Sequence, residues 1–387
     1  MVLTLVLIIA AAMLLPSHPY LDFQVLYHAD LGLLRGISVY DHAGQVDMIA
    51  GMANVRPDQV FVLPFPYPPW YALSTLWLAM LGISLAARVW FALSLGMLVL
   101  SVWMLTAGER PPRRMLFFLG ALLWLPVLGS LFVGQYGFPT LLGAALMIHA
   151  LRRGKTALAA LAAVLLTFKP HLGGLVLILA MLDLVQRRNR FGRNALAAIL
   201  AAGAVLFIVG FLASPGWPVA YARSLSAFQA VDGVSRCTQC VSLPVMLARL
   251  AGGGLGLAAW ISLVLAVACA GWLIWRWRGV CAEPGSLVAA GILVTLIVSP
   301  YLVNYDYMLL VIPFIVLARG PRAILERFGL ALAYILPLVS LTMWRAAGNA
   351  SLIVSAMILF AIAARQLSRG GTDAAAGPQL DYSEAPS

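Results

Sequence analysis

Charge is what this sequence lacks. Lys, Arg, Asp and Glu make up 10% of its 387 residues, against 63% hydrophobic ones. A soluble domain carries roughly 25% charged residues, so a water-facing surface could not be coated, and a soluble globular enzyme and a disordered chain are both excluded. Cysteine is scarce as well. Four are too few for a disulfide scaffold. A P-loop, a G-x-S-x-G elbow, an H-E-x-x-H pair and zinc-ligand spacings are missing altogether. His28, His42 and His171 are scattered along the chain, so neither a metal nor a cofactor is expected. Acidic residues number 14 against 25 basic ones, a net charge of +11. The basic residues sit in short clusters between apolar runs, which is how a polytopic membrane protein marks its cytoplasmic loops. Nucleic acid is therefore not an expected partner, and the lipid bilayer is.

What is present is a series of apolar runs at 2–16, 86–107, 115–132, 138–151, 156–168, 171–186, 195–213, 257–275, 286–299, 301–318, 328–344 and 347–364. The fold class is an all-α polytopic membrane protein of about twelve transmembrane helices, some short of the ~20 residues a crossing needs. The first run lacks a basic flank and a cleavage site, so it reads as a retained span. Segment 69–82 is placed as a short juxtamembrane helix on the outer side. With both termini inside, 17 of the 25 Lys and Arg residues then fall in inner loops, as the positive-inside rule requires. Residues 1–364 form one transmembrane domain with two long outer loops, 17–85 and 214–256. The Gly/Ala/Pro/Ser-rich tail 365–387 reads as cytoplasmic and disordered.

The outer side carries the polar motifs. Asp22 follows the first span, at the start of a segment whose Leu26, Leu33 and Leu34 fit a helix lying on the membrane surface, with Gly36 as its C-cap. An N-cap and a general base are both open to Asp22. In Phe65-Pro66-Tyr67-Pro68-Pro69-Trp70, Pro69 suits the first position of helix 69–82; the aromatics suit an interface or a site. Gly134-Gln135-Tyr136-Gly137 reads as a tight turn, or as one whose Gln135 bonds a sugar. Lys169, in Phe168-Lys169-Pro170-His171, interrupts an apolar stretch. It is either a snorkelling lysine or a cation for a phosphate. Asn304, Tyr305 and Asp306 lie in the late segment Ser299–Tyr307, an interface belt or a sugar platform. Cys237 and Cys240 form a C-x-x-C on the oxidising side, where a disulfide pinning the loop is expected.

Taken in order, LDFQVLYHADLGLLRGISVYD, FPYPPWYAL, GQYGFPTLL, LLTFKPHLGG, CVSLPVMLARL and SPYLVNYDYMLL resemble glycosyltransferase family 87. These are polyprenyl-phosphate-mannose-dependent α-mannosyltransferases of the GT-C superfamily. The resemblance runs over about residues 1–320 and implies a GT-C-like bundle. It implies an inverting hexosyltransferase of the plasma membrane, with its active site on the outer face. Asp22 would be the catalytic base. Lys169, helped by His171 or Arg88, would bind the donor phosphate, and Tyr67, Gln135, Asn304, Tyr305 and Asp306 would contact acceptor or sugar. The implied partners are a polyprenyl-phosphate-linked sugar and a glycan or glycolipid acceptor of the cell envelope. The alternative is a transporter or flippase of a lipid-linked glycan, which predicts ionisable residues spread along the middle of several spans.

Overall fold

The computed structural model describes residues 21–231, 241–277, 283–320, 323–339 and 346–373. Among these residues it is all-helical, 82% helix with no strand, in seventeen α-helices. The first long loop contributes α1 (Leu21–Leu34), α2 (His42–Ala53) and the short α3 (Pro69–Thr75). Next come α4 (Ile83–Leu105), α5 (Pro111–Leu123), α6 (Leu125–Phe132), α7 (Phe138–Arg153), α8 (Thr156–Leu166), α9 (Pro170–Gln186) and α10 (Arg190–Ala213). The second long loop carries α11 (Trp217–Val231) and α12 (Leu243–Leu250). The chain continues through α13 (Leu255–Trp277), α14 (Pro284–Val298), α15 (Val311–Arg319), α16 (Ile324–Ile335) and α17 (Ala346–Asp373).

Proline sets many of the helix starts. It occupies the first or second position of α3, α5, α6, α7, α9, α12 and α14, where its missing N–H has no intrahelical partner to lose. Within the described residues the expected apolar runs from 86–107 onward are mostly helical, 301–318 opening with a non-helical stretch and a 3₁₀ turn; the run 2–16 and residues 340–344 of the run 328–344 lie outside the described residues. By length and composition α4 and α10 each suffice to cross a membrane, and α5 with α6, bent by 55° at their break, form either a broken third span or a re-entrant pair. Pro126 lies just past that break, and an apolar hollow of about 400 Å³ beside α5 is lined by Trp124, Phe314 and Tyr334.

Segment 69–82 is helical in two short pieces, α3 and a 3₁₀ turn at Leu76–Met80. Together they rise roughly 20 Å, less than a ~30 Å hydrocarbon core. Pro69 is the first residue of α3. The C-x-x-C at Cys237 and Cys240 lies outside the described residues. Helix α17 runs on to Asp373, so the first part of the segment expected to be disordered is helical; residues 374–387 lie outside the described residues.

The helices run back and forth between two ends. At one end the basic turns meet. Arg113 and Arg319 both pair with Glu109, Arg319 also donates to the carbonyls of Leu105 and Ala107, and Arg152 pairs with Glu283. At the other end lie the starts of α1, α7 and α9 and the turn after α14. Here a compact group of Phe23, Leu26, Tyr67, Tyr71, Trp90, Tyr136 and Phe168 forms a second core beside the large one between α4, α7, α8, α9, α14 and α15.

Helix α1 departs from its expected place on the membrane surface. Phe23, Leu26, Ala29 and Asp30 are all fully buried, and α1 packs against the Leu76–Met80 turn, α2 and α3. Apolar side chains around most of its circumference make it a core helix rather than an interfacial one. Gly36 does end it, in the left-handed conformation at φ +77°.

Candidate functional site

Four side chains from distant parts of the sequence meet at the end opposite the basic turns. Asp22 sits in the first turn of α1, inside the helix rather than capping it. Gly134, at φ +69°, turns the chain after α6 and lets the N–H of Gln135 reach the carbonyl of Ser130. The turn is the expected tight one, and its glutamine points into the protein. Lys169 occupies the corner between α8 and α9, with Pro170 next to it as the first residue of α9. Asp306 lies in the 3₁₀ turn Asn304–Leu310.

These side chains form one hydrogen-bonded chain. The Gln135 amide nitrogen donates to Asp22 Oδ2 at 2.6 Å. Its oxygen accepts from Lys169 Nζ at 2.8 Å and from the Tyr136 backbone N–H at 2.9 Å. A cation and an N–H on one side and a carboxylate on the other fix which way the amide faces. Lys169 Nζ also donates to Asp306 Oδ1 at 2.8 Å, and the second oxygen of Asp306 accepts from the Val303 N–H.

Lys169 is 2% exposed and Asp306 3%. The lysine is therefore not snorkelling to water. A buried cation needs a partner, and Asp306 supplies it. Asp306, expected as a sugar contact, has both oxygens engaged within the protein. The rings of Tyr67 and Tyr305 lie 5.9 and 5.5 Å from Nζ, within cation–π range. An ammonium has three donors; Gln135 and Asp306 take two, leaving one.

A surrounding shell, which the sequence did not single out, holds the Gln135 turn. Trp90 Nε1 donates to the Gly134 carbonyl and the Tyr71 hydroxyl to the Tyr136 carbonyl. The Leu26 N–H of α1 donates to the Tyr136 hydroxyl. Ser130 on α6 donates to the Tyr305 carbonyl. Gly173 lets α9 approach α8 closely, since a Cβ there would overlap the Leu166 carbonyl. Burial, with the Asp22 charge added, pushes the Tyr67 and Tyr136 phenols well above their ordinary value; both stay neutral donors at physiological pH.

The other expected residues divide. His171 is exposed and within electrostatic reach of Asp306 and Lys169. Asn304 and Tyr305 are half-buried at the start of the 3₁₀ turn. Arg88 lies near the start of α4, its Nε buried with no hydrogen-bond partner. Among the described residues no hydrogen bond or ion pair joins it to the Asp22–Lys169 group.

The family model of glycosyltransferase family 87 matches residues 65–300, more than half of the chain. The chain belongs to glycosyltransferase family 87. It is thus a glycosyltransferase, and its apolar helices make it a membrane protein. The comparison with curated proteins found no match. The family 87 match contains Tyr67, Gln135 and Lys169 and stops short of Asp22 and Asp306. Hydrogen bonds tie those two carboxylates to matched residues.

Proposed function

We propose that this family 87 enzyme transfers a hexose, mannose in the first instance, from a polyprenyl-phosphate donor to a hydroxyl of an envelope glycan or glycolipid. The reaction takes place on the outer face of the plasma membrane, in a GT-C-like bundle of about twelve spans. The observation that carries the reading is the sharing of the Gln135 amide by Asp22 and Lys169. A base for the acceptor and a cation for the leaving phosphate are thereby held within one hexosyl-phosphate of each other.

In this reading the remaining N–H of Lys169 bonds the donor phosphate. As the acceptor oxygen attacks the anomeric carbon, the carbon–oxygen bond to phosphate breaks and the electron pair leaves with polyprenyl phosphate. The ammonium meets the developing charge in a site screened from water. Asp22, half-buried, takes the acceptor's hydroxyl proton. Attack from the side opposite the phosphate inverts the anomeric centre. His171, exposed beside Lys169, is placed to contact the same phosphate. The donor is its own activated sugar, so the reaction asks for no nucleotide.

The end-to-end sorting supports the sidedness. Loops expected inside by their charge meet at one end of the bundle, and those expected outside meet at the other. The same sorting speaks against a flippase. The buried charged residues Asp30, Lys169 and Asp306 gather at the site end, and Asp183 and Glu326 lie towards the other. No line of ionisable groups marks a path between them among the described residues.

The test is incubation of the purified protein with a panel of polyprenyl-phosphate hexoses and glycan acceptors. Transfer from at least one such donor, abolished in Asp22→Asn, is the expected result. Transfer from nucleotide sugars alone would refute the donor assignment.

A further inference from the structure

Helix α11 presents a single stripe to the rest of the protein. Trp217 and Ser224 are buried and Tyr221 and Phe228 half-buried, whereas Pro218, Val219, Ala222, Arg223, Ser226 and Ala227 are exposed. The stripe follows helical spacing. What it touches is unusual. Tyr221 lies 6.0 Å from the ring of Tyr40, Tyr40 lies 6.2 Å from Phe65, and Phe65 lies 5.6 Å from Tyr67, which flanks Lys169. Tyr305, whose ring also lies near Lys169, and Tyr301 both pack on Val303, and Tyr301 lies 6.0 Å from Phe228. Ring contacts therefore lead from Tyr221 of α11 to Tyr67, and a second path through Val303 leads from Phe228 to Tyr305, the two tyrosines whose rings lie near the Lys169 ammonium.

Between its two aromatic anchors the helix is bolted down. The Ser224 hydroxyl donates to the Phe65 carbonyl at 2.7 Å, and the Tyr40 hydroxyl donates to the Tyr67 carbonyl at 2.8 Å. Among the described residues the Tyr221 hydroxyl has no hydrogen-bond partner, and burial pushes this phenol up to about 12, so it remains a donor. Tyr221 and Phe228 stand two helical turns apart, roughly 10 Å along the helix axis, on one face of α11.

We propose that Tyr221 and Phe228 of α11 form the acceptor-side wall of the site and take a pyranose ring of the acceptor. Its apolar C–H face lies on the Phe228 ring and one of its hydroxyls on the Tyr221 oxygen. Aromatic faces suit this ligand because a pyranose offers apolar C–H faces with hydroxyls at its rim. The inference rests on the sugar-transfer reading and deepens it by naming what selects the acceptor.

The experiment uses the full chain in nanodiscs and needs neither donor nor turnover, so it stands apart from the transfer assay. A diazirine-bearing octyl α-mannopyranoside is the probe, with octyl β-glucopyranoside as competitor. Saturable labelling of the 217–231 peptide is expected. Labelling that falls elsewhere, or never saturates, would overturn the proposal. Tyr221→Leu and Phe228→Leu should each weaken probe binding about tenfold, with Phe228→Tyr retaining it. Unchanged affinity in the leucine variants would equally overturn it. If the probe binds α11 but no polyprenyl-phosphate sugar is ever transferred, the donor reading fails and the acceptor wall stands.

Discussion

Asp22 and Lys169, 147 positions apart in the numbering, hydrogen-bond the two ends of one amide, that of Gln135. The relationship fixes a distance between a carboxylate and an ammonium that neither helix alone could set. Removing the amide should therefore uncouple them. Gln135→Leu is expected to cost about 1–3 kcal/mol of stability, because the Tyr136 N–H and one Lys169 donor lose their partner. It should also lower kcat for sugar transfer more than it raises the donor KM. Thermal unfolding together with steady-state kinetics checks both parts.

Asp22→Asn keeps the size and the first helical turn and removes the base. A drop of about 10²–10⁴-fold in kcat is expected, with donor binding and the melting temperature little changed. Wild-type kcat in this variant would remove Asp22 from the chemistry.

Lys169 and Asp306 are a buried ion pair, and breaking one side should differ from replacing both. Lys169→Met leaves an uncompensated carboxylate at 3% exposure, and a loss of about 3–5 kcal/mol is expected. Lys169→Met combined with Asp306→Leu should recover most of that stability and none of the transfer activity. Comparing unfolding midpoints with turnover for the three proteins separates the lysine's structural part from its role toward phosphate.

Gly173→Ala should act at a distance. Its Cβ would press on the Leu166 carbonyl of α8, forcing α8 and α9 apart at the corner that carries Lys169, at a cost of about 1–3 kcal/mol. Reduced thermal stability with a raised donor KM is the expected pair of results.

Asp30 gives the pH dependence. It is fully buried, and burial holds its pKa well above the ordinary carboxylate value, the nearby Thr75 hydroxyl opposing this only in part. In the unfolded chain the group ionises first, so the unfolded state binds fewer protons once pH exceeds the ordinary carboxylate range. Stability from this group is therefore complete at low pH and declines as pH rises towards the folded-state pKa. Asp30→Asn should flatten that decline and raise the melting temperature at pH 7.5 relative to wild type, measured against the same pair at pH 4.5.

Much of this arrangement was legible in the sequence as polar residues in apolar company. Lys169 interrupts a run that has no other reason to hold a charge, and Asp22 and Gln135 stand at the margins of spans. Helix positions were legible for the same reason, because the bilayer and the prolines both leave marks in composition. The pairing of Lys169 with Asp306 was not. The two are 137 residues apart, and an acid between tyrosines reads equally as a sugar contact. The burial of α1 was hidden as well. Its partner is the Leu76–Met80 turn, and nothing local to residues 21–34 announces which distant segment will cover them. Tyr71, Trp90 and Ser130 act through backbone carbonyls of the site, and a contact made to a carbonyl leaves no trace in residue type.

The break between α5 and α6 has a reach beyond its own turn. Were the two pieces collinear, the far tip of α6 would swing by about 10 Å, the sine of 55° acting over eight residues at 1.5 Å each. The glutamine beyond that tip would then hang clear of both its ionic neighbours. A proline halfway through an apolar run thus serves as the elbow that delivers an amide to its post, and straightening it would disarm the enzyme while leaving every reactive group in the chain.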